Sequence, residues 1–212
     1  MMAVVDPTLE FERELHASGA AWVVGCDEVG RGAIAGPVAV GLSAVLATCP
    51  PLPVGIRDSK LLSEKRREAL YPEALDWSHA SAVGLADAAE VDALGIIPAL
   101  GLAGRRALAQ LHEAGVRILD SVVLLDGNHD YLTPALSSAP RVVTRIKADR
   151  DCASVAAASV IAKVHRDRLM IGHDSDHPGY GWSNNKGYGS AAHFAALHDL
   201  GPSPLHRLTW LH

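Results

Sequence analysis

Acidic residues close apolar runs at three places in this 212-residue chain: Asp27-Glu28 after AWVVGC, Asp126 after SVVLL, and Asp149 shortly after RVVTRI. A carboxylate that follows an apolar strand sits at the rim of a core, and strand ends are where open α/β sheets bind ligands. Four carboxylates gathered at such a rim repel one another. A divalent cation relieves that repulsion, and all-oxygen ligation suits Mg²⁺ or Mn²⁺. Two such ions side by side activate a water and stabilise a leaving oxygen in phosphodiester cleavage. Taken singly, each Asp reads more readily as a turn or helix-cap residue, and Asp126-Gly127 alone is ordinary turn chemistry. Spacing does not show that the four converge.

The elements that must position these residues are legible in outline. A short helix is expected over residues 5–16, and a buried strand over 21–26. Gly30, Gly32 and Gly36 turn the chain into a second strand, 37–47, antiparallel to the first. After a loop marked by Pro50, Pro51 and Pro53, Ser63 is the expected N-cap of a helix over 64–78. A strand follows at 80–86, and Asp87 with Glu90 forms a capping box for a helix to about Ile97. Pro98 is expected to break or kink that helix before a second one runs to Ala114. Strands at 121–125 and 141–146 precede a long helix from about Cys152 to Ile171, whose small side chains suit close packing on a sheet. A Gly/Pro/Asn/Tyr-rich loop, 174–189, leads to a last helix capped by Ser190 and ended by Gly201, then to the tail 202–212. Strands alternating with helices after an initial hairpin indicate an α/β fold: a mixed sheet with helices on both faces, plus a small C-terminal helical part.

Composition narrows the class. The length fits one domain, or one with a small appendage. Apolar residues make up 49% with two Phe, four Tyr and four Trp, so the core is aliphatic. A net charge of −5 argues against a non-specific nucleic-acid coater, though not against an enzyme with a local basic surface. Three Cys without Cys-x-x-Cys spacing suggest neither a disulfide framework nor zinc, and a reducing cytoplasm is the simplest setting. The acidic stretch Met1 to Glu14 does not read as a secretory signal. No run approaches the roughly 20 apolar residues of a membrane helix, and there is no internal repeat or low-complexity linker.

Six blocks in order over residues 25–207 carry a family resemblance. GCDEVGRGAIAGP (25–37) resembles the Gly-x-Asp-Glu-x-Gly-Arg-Gly motif of type 2 ribonucleases H. Asp58-Ser59-Lys60 with Leu62-Ser63, LLDGN (124–128), KADRDCASVAAASVIAKVHRDRLM (147–170), HPGYGWSNNKGYGSAAH (177–193) and LGPSPLHR (200–207) are similar to that family's later blocks. The resemblance implies a ribonuclease-H-like catalytic domain over 1–212, with a core at about 20–172 and a substrate-contacting segment at 173–212. It implies that Asp27, Glu28, Asp126 and Asp149 are catalytic and hold two divalent ions, Mg²⁺ or Mn²⁺, with Asp27 and Asp126 flanking both.

The substrates implied are RNA/DNA hybrids and DNA with embedded ribonucleotides, cut 5′ of the ribonucleotide to leave 3′-hydroxyl and 5′-phosphate, in ribonucleotide removal from DNA. The backbone of Gly30, Arg31 and Gly32 is expected to read the ribose 2′-hydroxyl, the group that separates RNA from DNA. Tyr188, ahead of Tyr180, matches the junction-sensing tyrosine. Lys60, Lys163, Arg166, Lys186 and Arg207 lie in or beside the matched blocks as phosphate contacts. Against this, Arg168 and the run Lys65-Arg66-Arg67 read as solvated faces, Arg166 and Lys163 read equally as ion pairs on a helix near Asp167, and His193 and His206 read as structural. Ala148 and Asn185 depart from the usual Gly and His. A monomeric, cytoplasmic enzyme is expected. The rivals are a type 3 ribonuclease H, which carries an extra N-terminal domain, a non-catalytic hybrid-binding module, and a phosphotransferase, for which no GxxxxGK[ST] occurs.

Overall fold

The computed structural model describes residues 6–211; Val5, where the expected first helix begins, and His212 lie outside them. The elements run α1 (Glu10–Ala17), β1 (Trp22–Val29), β2 (Val38–Val45), α2 (Glu64–Trp77), β3 (Ala80–Ala86), α3 (Ala88–Leu94) and α4 (Ile96–Glu113). They continue with β4 (Ser121–Asp126), β5 (Arg141–Arg145), α5 (Ala148–Asp151), α6 (Ala153–Asp176), α7 (Trp182–Asn185) and α8 (Ala191–Leu200). The five strands form one mixed sheet in the order β3-β2-β1-β4-β5. The β1–β2 and β2–β3 pairs are antiparallel, whereas β1–β4 and β4–β5 are parallel. This is the expected mixed sheet, flanked by helices.

Two apolar layers sandwich the sheet. Val24, Cys26, Val123 and Leu125 pack with α4 on one face, and Val23, Val122 and Leu124 with α6 on the other. The central helix α6 lies close to β1 and β2 because glycines face it. A Cβ on Gly25 would stand 2.2 Å from the Ser154 carbonyl carbon, and one on Gly41 would stand 2.6 Å from Ala162 Cβ. With Ala156, Ala157 and Ala158 fully buried along it, α6 becomes the floor against which the acidic strand ends are set.

The first strand runs on past its expected end to Val29, its pairing with β2 continuing through Asp27 and Glu28, and the boundaries depart from expectation in three further places, each for a local reason. Thr8 bridges Cys152 rather than joining a helix, its N–H donating to the Asp151 carbonyl at 3.0 Å, so α1 begins only at Glu10. The break between α3 and α4 falls at Gly95, with φ 81°, while Pro98 is accommodated in the first turn of α4, where a missing N–H costs little. The 174–189 segment is partly helical: α6 runs on to Asp176 and α7 forms a further turn.

Candidate active site

The strand register brings the first two acidic positions together. In the parallel β1–β4 pair Cys26 stands opposite Leu125, which sets Asp27 beside Asp126. Side chains alternate along a strand, so both Asp residues lie on the α6 face while Glu28 points to the other face. There the hydroxyl of Tyr131 donates to Glu28 Oε2 at 3.4 Å. Asp149 is not at a strand end. After β5, Lys147 adopts a left-handed conformation (φ 63°), and Asp149 lies in the one-turn helix α5. Its N–H donates to Asp126 Oδ1 at 3.4 Å, so a helical turn rather than a strand delivers the fourth carboxylate.

These groups are electrostatically unfinished. Burial pushes the Asp27 carboxyl well above the usual range; the Ser159 hydroxyl and Lys60 oppose it, and Glu28 and Asp126 add to it. Asp126 and Asp149 are raised too, again first by burial. The Lys60 ammonium is the nearest compensation, with Nζ 3.3 Å from Asp149 Oδ2. Burial alone would lower it, but Asp27, Asp149 and Asp58 around it outweigh that and raise it. Among the described residues no three His, Cys, Asp or Glu side chains are gathered tightly enough to hold an ion as they stand. Four carboxylates, three of them raised by burial, against Lys60 and an exposed Arg31 that pairs with Glu28 at 3.5 Å, nevertheless form an oxygen-rich, cation-deficient donor set of the kind that suits a divalent cation.

A cleft of about 250 Å³ opens over Asp27, Glu28 and Asp126, walled by Gly30–Gly32, Lys60, Lys163 and Tyr188. A larger cleft of about 530 Å³ lies between α4 and residues 129–135, mostly apolar and away from the carboxylate pair. The Gly30 N–H donates to Tyr188 Oη at 3.1 Å, so the glycine loop and the tyrosine are pinned to each other. Gly30 has φ 81° and a Cβ there would lie 2.1 Å from Arg166 Nε, so no other residue fits without displacing that guanidinium. Tyr180 is elsewhere, stacked on Trp182 with its hydroxyl donating to the Gly201 carbonyl at 2.7 Å.

The expected phosphate contacts divide. Lys60 and Lys163 line the cleft, although Lys163 also pairs with Asp167 at 2.7 Å. Arg166 and Arg207 do not reach it: both are fully buried, with their donors spent on backbone carbonyls. Arg166 donates to Pro37, Lys186 and Ala35 at 2.8, 2.8 and 3.1 Å. Arg207 donates to Gly30 at 2.7 Å, Arg31 at 3.0 Å and Gly36 at 3.1 Å. Both brace the loop that carries the Gly-Arg-Gly element, a role sequence alone does not distinguish from phosphate binding. The Lys186 side chain is likewise folded in, with Nζ 3.2 Å from Glu64 and donating to the Ser183 carbonyl. Arg67 is not on a solvated face: it donates to the Ser59 and Leu62 carbonyls at 3.0 and 2.5 Å and so fixes the turn that presents Lys60. Arg168 pairs on the surface with Glu68.

Comparison with known proteins agrees with this architecture. A family model described as Ribonuclease HII matches residues 24–212. The chain is 48% identical over 211 residues to Ribonuclease HII of Streptomyces coelicolor, covering 99% of this chain and 85% of the relative. It is 44% identical to that of Thermus thermophilus, covering 87% and 84%. Among solved structures, ribonuclease H2 from Pyrococcus horikoshii superposes with a TM-score of 0.69 at 25% identity, over 89% of this chain and 93% of that one. Bst-RNase HIII in complex with Mn²⁺ has a TM-score of 0.72 at 23% identity, over 92% of this chain and 68% of that one, and speaks for the fold alone.

Proposed function

We propose, from the premise that the chain belongs to the ribonuclease HII family, that its endoribonuclease activity on RNA/DNA hybrids extends to single ribonucleotides embedded in duplex DNA. The phosphodiester 5′ of the ribonucleotide is hydrolysed, leaving 3′-hydroxyl and 5′-phosphate, a cut that opens removal of that ribonucleotide. One observation carries this reading: the glycine loop and Tyr188 are pinned together directly over the Asp27–Asp126 pair.

Asp27, Glu28, Asp126 and Asp149 would hold two divalent cations, Mg²⁺ or Mn²⁺, which supply an activated water and stabilise the leaving oxygen. The chain's own residues do the rest. The backbone of Gly30–Gly32 meets the ribose 2′-hydroxyl. A Cβ on Gly32 would touch nothing within 4 Å, so the protein's own packing does not demand glycine there, and the space it leaves is available to a sugar. The Tyr188 ring excludes a second 2′-hydroxyl on the 3′ side, giving selectivity by exclusion. Lys60, with its side chain 68% exposed beside Asp149, would reach a substrate phosphate on the open side of the cleft. Lys163 flanks the same path.

The test is a labelled DNA duplex holding one ribonucleotide, incubated with Mg²⁺, Mn²⁺ or EDTA. A metal-dependent single cut 5′ of that ribonucleotide is expected. Cleavage of a long hybrid without cleavage of the embedded substrate would overturn the reading.

A further inference from the structure

Behind Tyr188 the structure holds a buried chain of hydrogen bonds whose direction can be worked out. The Trp182 indole, a donor only, points at His193 Nε2 at 3.1 Å, so that nitrogen carries no proton. His206 Nε2 lies 3.1 Å from the same atom and must therefore be the donor to it. His206 Nδ1 is then an acceptor, and it receives the Ser203 N–H at 2.9 Å. At the other end His193 Nδ1 must carry the proton and donates to the Tyr188 carbonyl at 2.9 Å. Two obligate donors, the Trp182 indole and the Ser203 amide, thus fix both tautomers independently, and both rings are neutral. His193 is fully buried and His206 is 2% exposed.

The same short segment holds the other side of the cleft. His206 bridges Ala35 as an isolated β-pair, and the next residue, Arg207, grips the carbonyls of Gly30, Arg31 and Gly36. One C-terminal unit therefore sets the position of Tyr188 through its carbonyl and of the glycine loop through its carbonyls.

We infer that His193 and His206 are positioning residues for substrate discrimination, locking Tyr188 at the distance from the Gly30–Gly32 backbone that a single ribonucleotide requires. The inference rests on the role assigned to Tyr188 above. The quantity it governs is the ratio of kcat/KM on an embedded ribonucleotide to kcat/KM on a long hybrid, because a long hybrid presents no junction with DNA at the cut.

Long-range ¹H–¹⁵N spectra of the histidine rings give the first test. The expected pattern is an Nδ1–H tautomer for His193 and an Nε2–H tautomer for His206; the opposite tautomer at either ring would overturn the inference. The second test compares His193→Phe, which removes the donor to Tyr188, with His193→Asn, whose amide stands near the position of Nδ1, and uses Tyr188→Ala as reference. Assays run well below each variant's melting temperature. Loss of one buried hydrogen bond predicts a fall of about tenfold in the ratio for His193→Phe, with substantial recovery in His193→Asn. If the ratio collapses in Tyr188→Ala but survives in His193→Phe, the positioning inference fails alone. If it survives in Tyr188→Ala, the role of Tyr188 fails and the inference with it.

Discussion

The two walls of the cleft handle buried charge in opposite ways. On the strand side three carboxyls are held above their usual range, chiefly by burial, with a single partly exposed lysine among them. On the C-terminal side two guanidiniums are fully buried, and the hydrogen bonds of both go to backbone carbonyls and not to a carboxylate. Yet that side is complete, because carbonyl dipoles receive the donors of Arg166 and Arg207. A closed network of this kind fixes geometry, whereas an open one is set up to receive charge. On the function proposed above, the contrast separates the part of the protein that would position substrate from the part that would perform chemistry.

Asp27→Asn should expose the contrast most sharply. Activity is expected to fall about a thousandfold or more, the scale of losing several kcal/mol of transition-state stabilisation. Metal-free stability should rise, by about 1 kcal/mol, because a buried like charge has been removed. A chevron or urea titration in EDTA beside a cleavage assay reads both signs. Wild-type protein should also gain stability on Mg²⁺ addition, by about 2.7 kcal/mol at a hundred times Kd and visible as a higher melting temperature, and Asp27→Asn should lose that gain.

Arg207→Leu should do the reverse: its main cost is stability, about 3 kcal/mol, since the carbonyls of Arg31 and Gly36 would lose their donors and that of Gly30 would keep only the Ala33 N–H at 3.2 Å. Arg207→Lys should recover little, as one ammonium cannot span the three carbonyls that the guanidinium fork reaches.

How much of this was legible in the sequence follows the same division. Asp27-Glu28 and Asp126 stand out because strand periodicity is a local signal, and the register that unites them follows from two short parallel strands. Asp149 is misplaced by one element, because the turn before it depends on Lys147 taking a left-handed conformation that lysine rarely adopts. The capping box Asp87–Glu90 is a local device and is found as read. Arg166, Arg207 and Lys186 are another matter. A basic residue in a nuclease-like block reads as a phosphate contact, and only tertiary packing shows that their donors face inward. Arg67 is missed for the converse reason, since a run of basic residues on a helix looks solvated until the turn it grips is known.

The pH response of metal-free protein should split along the same line. Burial first, then the neighbouring His193, lowers His206 to about 4. The unfolded chain therefore binds the proton first, between about pH 6.5 and 4, and in that window this side loses stability as pH falls. The carboxylates act in the other direction. Because Asp27, Asp126 and Asp149 are raised when folded, the native state binds protons first there, and stability rises as pH falls through their folded pKa values. His206→Gln should remove the first contribution and leave the second, so its stability should fall less than wild type's between pH 7 and pH 5. Denaturant midpoints at those two pH values decide the matter: equal slopes in both proteins would place the acid response outside the histidine pair.

The smallest expected effect belongs to Lys60. Its ion pair with Asp149 is mostly solvent-exposed on the lysine side, so such a pair is worth about 1 kcal/mol at most. Lys60→Met should therefore lower metal-free stability by that little, and less at high salt, where repulsion among the carboxylates is screened. With Mg²⁺ present even this difference should vanish, because the cations replace the charge that Lys60 supplies. A Lys60→Met variant that melts below wild type by the same margin with and without Mg²⁺ would mean that the lysine acts through packing of its alkyl chain, and the strand side would then be less dependent on added positive charge than its carboxylates imply.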